Sequence, residues 1–307
     1  MTTAPGVAAT DARGGPPARR PTDGRRRVFW ALLLPSVAVL VAFLVVPLVM
    51  IAALSLRPDL RGPLLAPFAP TLDHYVELAA TPVYLRLLAI SAGIAAIVAA
   101  LATLLAFPLA YYLALRAGRR APMLIILLLV PFWTSYLLRV MAWKLMLGEQ
   151  GAINSLLLSS GVIDAPLSAL LYNRLAVTIT LAYVWIPFAA LPMLAALQRL
   201  DPLLLDAAAD LYATPARRFW RITLPIAMPG VVGAFFLVFI PTVGEYVTPL
   251  MVGGTGGTMY GNIVQDFFTK AANWPFGSML SVVMLVATIA VALLAVRAAD
   301  VRRFVDP

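Results

Sequence analysis

Apolar residues gather along this chain in six long runs, at about Val28–Leu56, Leu85–Leu115, Pro122–Leu147, Leu175–Leu197, Ile226–Val252 and Phe276–Val296. Each meets the ~20 residues that an α-helix needs to cross a bilayer core about 30 Å thick. The pattern predicts an all-α, polytopic membrane protein with six transmembrane helices. The first run exceeds the ~7–15 apolar residues of a signal-peptide core, so it is expected to be a retained span. Pro47, Pro108, Pro131, Pro187, Pro192 and Pro241 fall inside the runs and predict kinks whose freed backbone groups neighbouring helices must satisfy. Composition agrees: 62% of residues are hydrophobic and 12% charged, with a mean hydropathy of +0.92. Soluble domains carry about 45–50% apolar and about 25% charged residues.

Residues 1–27, rich in Gly, Pro, Ala and Arg, read as a disordered basic tail. The membrane domain is expected over 28–297, and 298–307 form a short C-terminal tail. Sixteen of the 23 basic residues lie in the tails and in the two loops on the same side as the tails. The positive-inside rule therefore places both termini and the 201–225 loop in the cytoplasm. The net charge of +9 is thus a topology signal. Its short clusters flank spans and do not form the basic face that nucleic acid requires.

Candidate chemistry is sparse. With no cysteine and one histidine, His74, the chain can build neither a disulfide nor a thiolate or multi-histidine metal site of its own. No G-x-x-x-x-G-K-[ST] stretch occurs, and Gly253–Gly257 lacks the Lys-Ser/Thr of a phosphate cradle, so this chain supplies no Walker-type nucleotide site. An intramembrane enzyme would need a nucleophile and base, or a metal cluster, among the spans. A self-sufficient secondary transporter would show inverted repeats and paired carboxylates. Neither signature is visible.

The distinctive polar interruption is Asp201–Pro225, DPLLLDAAADLYATPARRFWRITLP. Asp201 followed by Pro202 is an N-cap with proline at the first helical position. Thr214 and Pro215 repeat the signal, so two short helices meeting at an angle are expected. Leu203, Leu204, Ala207, Ala208 and Leu211 recur at helical spacing, with Asp206 and Asp210 on the other face. Such a unit is too polar for lipid and too apolar for water, and fits a knob presented to another protein.

Asp206-Ala-Ala, then Tyr212, then Ile222-x-Leu224-Pro225 resembles the EAA loop of importer-type, binding-protein-dependent ABC transporter permeases. That pattern is Glu-Ala-Ala, three residues, Gly, nine residues, Ile-x-Leu-Pro. Asp206 stands where the family has Glu, and Tyr212 where it has Gly, a position read as one of close backbone approach. The Tyr212 ring is expected to pack on the second short helix, near Phe219 or Trp220. Five further segments are similar to the spermidine/putrescine branch: Pro131–Arg139 with Ala142-Trp143, Gly151–Leu157, Val243–Pro249 with Gly253-Gly254, Gly261-Asn262, and Trp274–Ser278.

The resemblance implies a type I ABC importer permease fold in a bacterial inner membrane. It implies as partners a cytoplasmic ATPase dimer, a second and different permease, an external or periplasmic solute-binding protein and membrane lipid. No cofactor would be bound by this chain, ATP and Mg residing on the ATPase. Asp206, Ala207, Ala208, Asp210, Leu211, Tyr212, Ala213 and Arg217 would couple to that ATPase, and polyamines would be the solute. The alternative is the same type of permease for another amine, a phosphonate or an anion.

Glu245 is the one acidic residue inside an apolar run, and an ionisable group at membrane depth marks a functional site by default. Counting ~1.5 Å per residue from Pro229 puts it ~24 Å along its helix. It reads either as a contact for a substrate ammonium or as the partner of Arg139, or as an interfacial, hydrated side chain. Trp133, Tyr136, Trp185 and Tyr246 read either as cation–π faces for that substrate or as packing and interfacial-belt residues.

Overall fold

The computed structural model describes residues 23–58 and 69–298; most of the two tails and the start of the loop after the first span lie outside them. All regular structure among the described residues is helical. The chain divides into two compact units, residues 1–50 and 51–307.

The first unit contains α1 (Asp23–Leu40), a π-helical turn at Val41–Val45 and the start of α2 (Val46–Ser55). The described part of α1 includes residues 23–27, which the sequence reading assigns to the tail. Trp30–Ser55 is long and apolar enough to cross a membrane.

The second unit continues with α3 (Asp73–Ala80), α4 (Pro82–Leu115), α5 (Ala121–Leu129), α6 (Tyr136–Leu147), α7 (Ala152–Ser159) and α8 (Arg174–Leu197). Two short helices follow, α9 (Pro202–Asp210) and α10 (Pro215–Arg218), and then α11 (Leu224–Val243), α12 (Tyr260–Thr269) and α13 (Trp274–Ala298). Among the described residues five helical stretches are long and apolar enough to span a membrane, and Gly118–Trp133 with Tyr136–Ser159, bent by 85°, makes a sixth if the bent pair crosses as one span. The helices follow the six apolar runs, with two corrections. The third, expected as one helix over Pro122–Leu147, breaks where Pro131 withholds an N–H and where Thr134 and Ser135 are extended. The fifth, expected to reach Val252, ends at Val243.

The core is a three-helix contact of α4, α8 and α11 built from small side chains. Ala95, Ala99, Ala102, Ala106 and Ala110 on α4 are fully buried, as are Ala176, Ala189 and Ala190 on α8 and Ala227 and Ala234 on α11. In lipid, burial of apolar surface drives association only weakly, so helices pack where small residues let their backbones approach. Gly230 sets the closest approach: a Cβ there would lie 2.6 Å from both the Ala196 Cβ and the Pro192 carbonyl oxygen. A second cluster joins Leu78 of α3, Tyr260 of α12 and Phe276, Met279 and Leu280 of α13. The buried Ser91 Oγ accepts the Tyr260 N–H at 2.7 Å and ties α12 to α4.

Gly230→Val is expected to separate α8 from α11 and cost about 1–3 kcal/mol, the usual price of overpacking a filled core. A lower thermal midpoint for the purified complex carrying this variant checks it.

Candidate functional site

Both capping signals in the 201–225 loop fold as the sequence predicts. The Asp201 carboxylate accepts the Leu203 N–H at 2.9 Å with Pro202 at the first helical position, and the Thr214 hydroxyl accepts the Arg217 N–H at 3.3 Å ahead of α10. Between them α9 stops at a Schellman turn. The Tyr212 N–H donates to the Ala209 carbonyl at 2.9 Å, and the Ala213 N–H donates to the Ala208 carbonyl at 3.0 Å. That turn requires a left-handed residue after the cap, and Tyr212 has φ +56°. The glycine of the resembled pattern thus meets a requirement of backbone conformation, which the tyrosine satisfies with strain. The expected packing of its ring is incorrect: Tyr212 is 95% exposed, and Phe219 and Trp220 stack edge-to-face on each other without it.

Leu203, Leu204, Leu211 and Trp220 are also exposed, as are Asp206, Ala207, Asp210 and Arg217, while Ala208 and Ala213 are half-buried. The loop therefore presents an apolar ridge beside two carboxylates. It is held to the spans by Phe219, whose ring meets Phe107 at 5.8 Å and Tyr111 at 6.5 Å on α4. Phe219–Thr223 is π-helical, and the wider turn joins α10 to α11 without a break in the helix.

A second constellation forms where the third and fifth spans are broken. Gly244 closes α11, and the Glu245 Oε1 accepts the N–H groups of Val247 at 2.8 Å and Thr248 at 3.2 Å. It thereby caps the helical turn that leads into the π-helical Pro249–Gly253. Glu245 is thus not within a continuous helix, as the apolar run implied; it satisfies backbone donors that the break exposes. The Thr248 hydroxyl is 2.6 Å from the Tyr136 hydroxyl, so the first residue of α6 bonds to the segment after α11. Arg139 places its guanidinium 5.9 Å from the Tyr136 ring centre, and its buried Nε has no hydrogen-bond partner. Among the described residues no ion pair joins Arg139 to Glu245; the one described is Lys270–Asp266, at 2.8 Å. Asn262 donates to the Tyr246 carbonyl at 2.8 Å. Gly261 packs so closely that a Cβ would fall 2.6 Å from the Gly244 carbonyl oxygen.

The structure brings Glu245, Tyr136 and Tyr246 into this one cluster. Trp185 belongs to a separate aromatic row, Phe132–Phe188–Trp185, with ring centres 4.9 and 5.2 Å apart; its Nε1 is buried without a partner. Trp133 joins neither group and is 79% exposed. Thr248 and Asn262 entered the sequence reading only as members of the resembled segments, with no role assigned, since neither carries a periodic signal; the structure puts Asn262 in α12.

This architecture, with its capped loop between spans, is that of an ABC importer permease. The chain matches the model for the binding-protein-dependent transport system inner membrane component over residues 25–307, and it belongs to that family. It is 33% identical over 244 residues to the spermidine/putrescine transport system permease protein PotB of Haemophilus influenzae, a match covering 79% of this chain and 84% of that one. It is likewise 33% identical over 216 residues to PotB of Escherichia coli (strain K12), covering 70% and 78%. Against the inner membrane ABC transporter permease protein YdcU of Escherichia coli it is 32% identical over 181 residues, covering 55% and 57%. By fold it is similar to a chain of a bacterial alginate ABC transporter in complex with alginate pentasaccharide-bound periplasmic protein, with a TM-score of 0.69 and 15% identity over 90% of this chain and 95% of that one.

Replacing Tyr212 separates backbone from side chain. Tyr212→Gly is expected to keep the turn intact and to relieve about 1–2 kcal/mol, the cost of a left-handed L-residue, whereas Tyr212→Ile is expected to loosen it, because a β-branched side chain tolerates positive φ worse than tyrosine does. Faster hydrogen exchange at the amides of residues 212 and 213 in the isoleucine variant alone checks this.

Proposed function

We propose that this chain is one of two different permease subunits of an ATP-driven importer that carries polyamines into the cytoplasm. The 33% identity to spermidine/putrescine permeases over most of the chain supports the solute class. The observation that carries the mechanism is the 201–225 loop, an exposed apolar ridge with two carboxylates, rigidly capped and anchored to α4. In this reading an ATPase dimer holding ATP and Mg grips Asp206–Ala213 and Arg217, and its closure moves the loop. The spans then rock to open the solute path toward an external or periplasmic binding protein. Only a loop that binds the two ATPase states with different affinity shifts this equilibrium. In this reading both termini lie in the cytoplasm, which the distribution of Lys and Arg supports.

The Glu245 cluster is the substrate contact in this reading. One carboxylate oxygen is engaged by the Val247 and Thr248 amides and the Tyr136 hydroxyl lies beside the carboxylate; an ammonium would meet the charge there, with Tyr136 and Tyr246 as the neighbouring aromatic faces and Trp185 standing apart in its own row. Trp133, being so exposed, would reach the path only from its edge.

Reconstitution with the second permease, the ATPase and the binding protein tests the reading: spermidine accumulation in liposomes that requires ATP and the ATPase is expected, and accumulation without the ATPase contradicts it. Glu245→Gln keeps an oxygen for the capping bonds and removes the charge. It is expected to cut uptake at least about tenfold, equivalent to ~1.4 kcal/mol, while ATP hydrolysis continues. Orientation has its own assay, because the chain has no cysteine. A Tyr212→Cys variant is expected to react with an impermeant maleimide in inside-out vesicles prepared without the ATPase and to stay unlabelled in intact cells.

A further inference from the structure

Phe219 stands between two cavities of opposite character. On one side lies a groove of about 660 Å³ against α4 and α11, walled by Leu104, Phe107, Trp220, Val232 and Phe236. On the other lies a cavity of about 520 Å³ where α4, α8, α9 and α10 converge, lined by Tyr111, Arg116, Gln198, Asp206 and Arg218. The groove is at span depth, and the polar cavity is at the end of α4, where Arg116 forms the C-cap. Arg218 makes one long bond, from Nη1 to the Leu205 carbonyl at 3.4 Å, and its Nε is buried with no partner. A buried guanidinium N–H without an acceptor is rare in a finished site. Two arginines face one carboxylate, Asp206, so the polar cavity carries net positive charge.

We propose that the two cavities are the headgroup and acyl-chain halves of one site for an anionic glycerophospholipid. Arg116 and Arg218 bind the phosphate, and one acyl chain follows the groove past Phe219 and Trp220. The planar fork of arginine matches phosphate oxygens, and basic pockets beside cytoplasmic helix ends recognise anionic headgroups. A free anion leaves the groove empty, a zwitterionic lipid brings its own cation to the arginines, and a polyammonium solute is repelled by them. The site borders Phe219, so its occupant also braces the joint between the loop and α4. Assignment to the cytoplasmic leaflet rests on the orientation proposed above; the lipid chemistry does not.

Native mass spectrometry of the assembled complex, titrated with phosphatidylglycerol or phosphatidylcholine of matched chains, tests the proposal. Phosphatidylglycerol is expected to bind at least about tenfold more tightly. R116Q/R218Q is expected to abolish the preference and R116K/R218K to retain most of it. Equal binding of the two lipids overturns the proposal, as does a double glutamine variant as selective as the unaltered complex. Displacement of the lipid by inorganic phosphate alone at equal concentration also overturns it, marking a free-anion site. So does efficient cross-linking of a Leu104→Cys variant to another polypeptide, marking a groove filled by protein. Should the double variant fail to assemble, Arg116→Gln, which lies outside the loop, decides: full preference for phosphatidylglycerol overturns the proposal and its loss supports it. Labelling of the Tyr212→Cys variant from outside would move the site to the other leaflet and leave the lipid preference standing.

Discussion

A peptide group in hydrocarbon has no water to bond, so a chain can leave the helix at membrane depth only where other groups take over its backbone bonds. This constraint governs both irregular places in the spans. At the first, Pro131 and the extended Thr134 and Ser135 break the third span, and the Thr134 hydroxyl donates to the Pro131 carbonyl at 2.6 Å. At the second, α11 ends, and Glu245 takes up the Val247 and Thr248 amides at the start of the next turn. The Tyr136–Thr248 bond joins the two breaks. The polar groups of this membrane domain are therefore concentrated by necessity where the backbone bends, and the ionisable and aromatic groups suited to a charged solute gather there too.

The rest of the domain supplies rigidity. Alanine-lined contacts among α4, α8 and α11 leave little room for one helix to shift alone. The loop between α8 and α11 is fastened to α4 by Phe219 and to itself by Arg218. A push on α9 is therefore delivered to packed helices and not absorbed in slack chain, as transmission between two arrangements of a rigid element requires.

Much of this was legible in the sequence, because spans, caps and charge asymmetry are local or periodic signals. Asp201-Pro202 and Thr214-Pro215 folded as caps because a carboxylate or hydroxyl before a helical proline has few other uses. The breaks were hidden because Pro131 and Pro241 sit in runs whose apolar character continues past them, and hydropathy does not register a change of backbone direction. Glu245 was placed inside a helix for the same reason; the signal that could have found its role is its position just after Gly244 and three residues before Thr248. The conformation of Tyr212 was illegible because tyrosine rarely adopts positive φ, so only comparison with a glycine in the resembled pattern hinted at it.

The account turns on the joint between the loop and α4. In proteoliposomes holding the full importer, the ratio of polyamine transported to ATP hydrolysed measures that joint directly. Phe219→Ala, in a complex that still assembles and hydrolyses ATP, is predicted to lower the ratio sharply. An unchanged ratio would show that force reaches the spans by another route and would contradict the account.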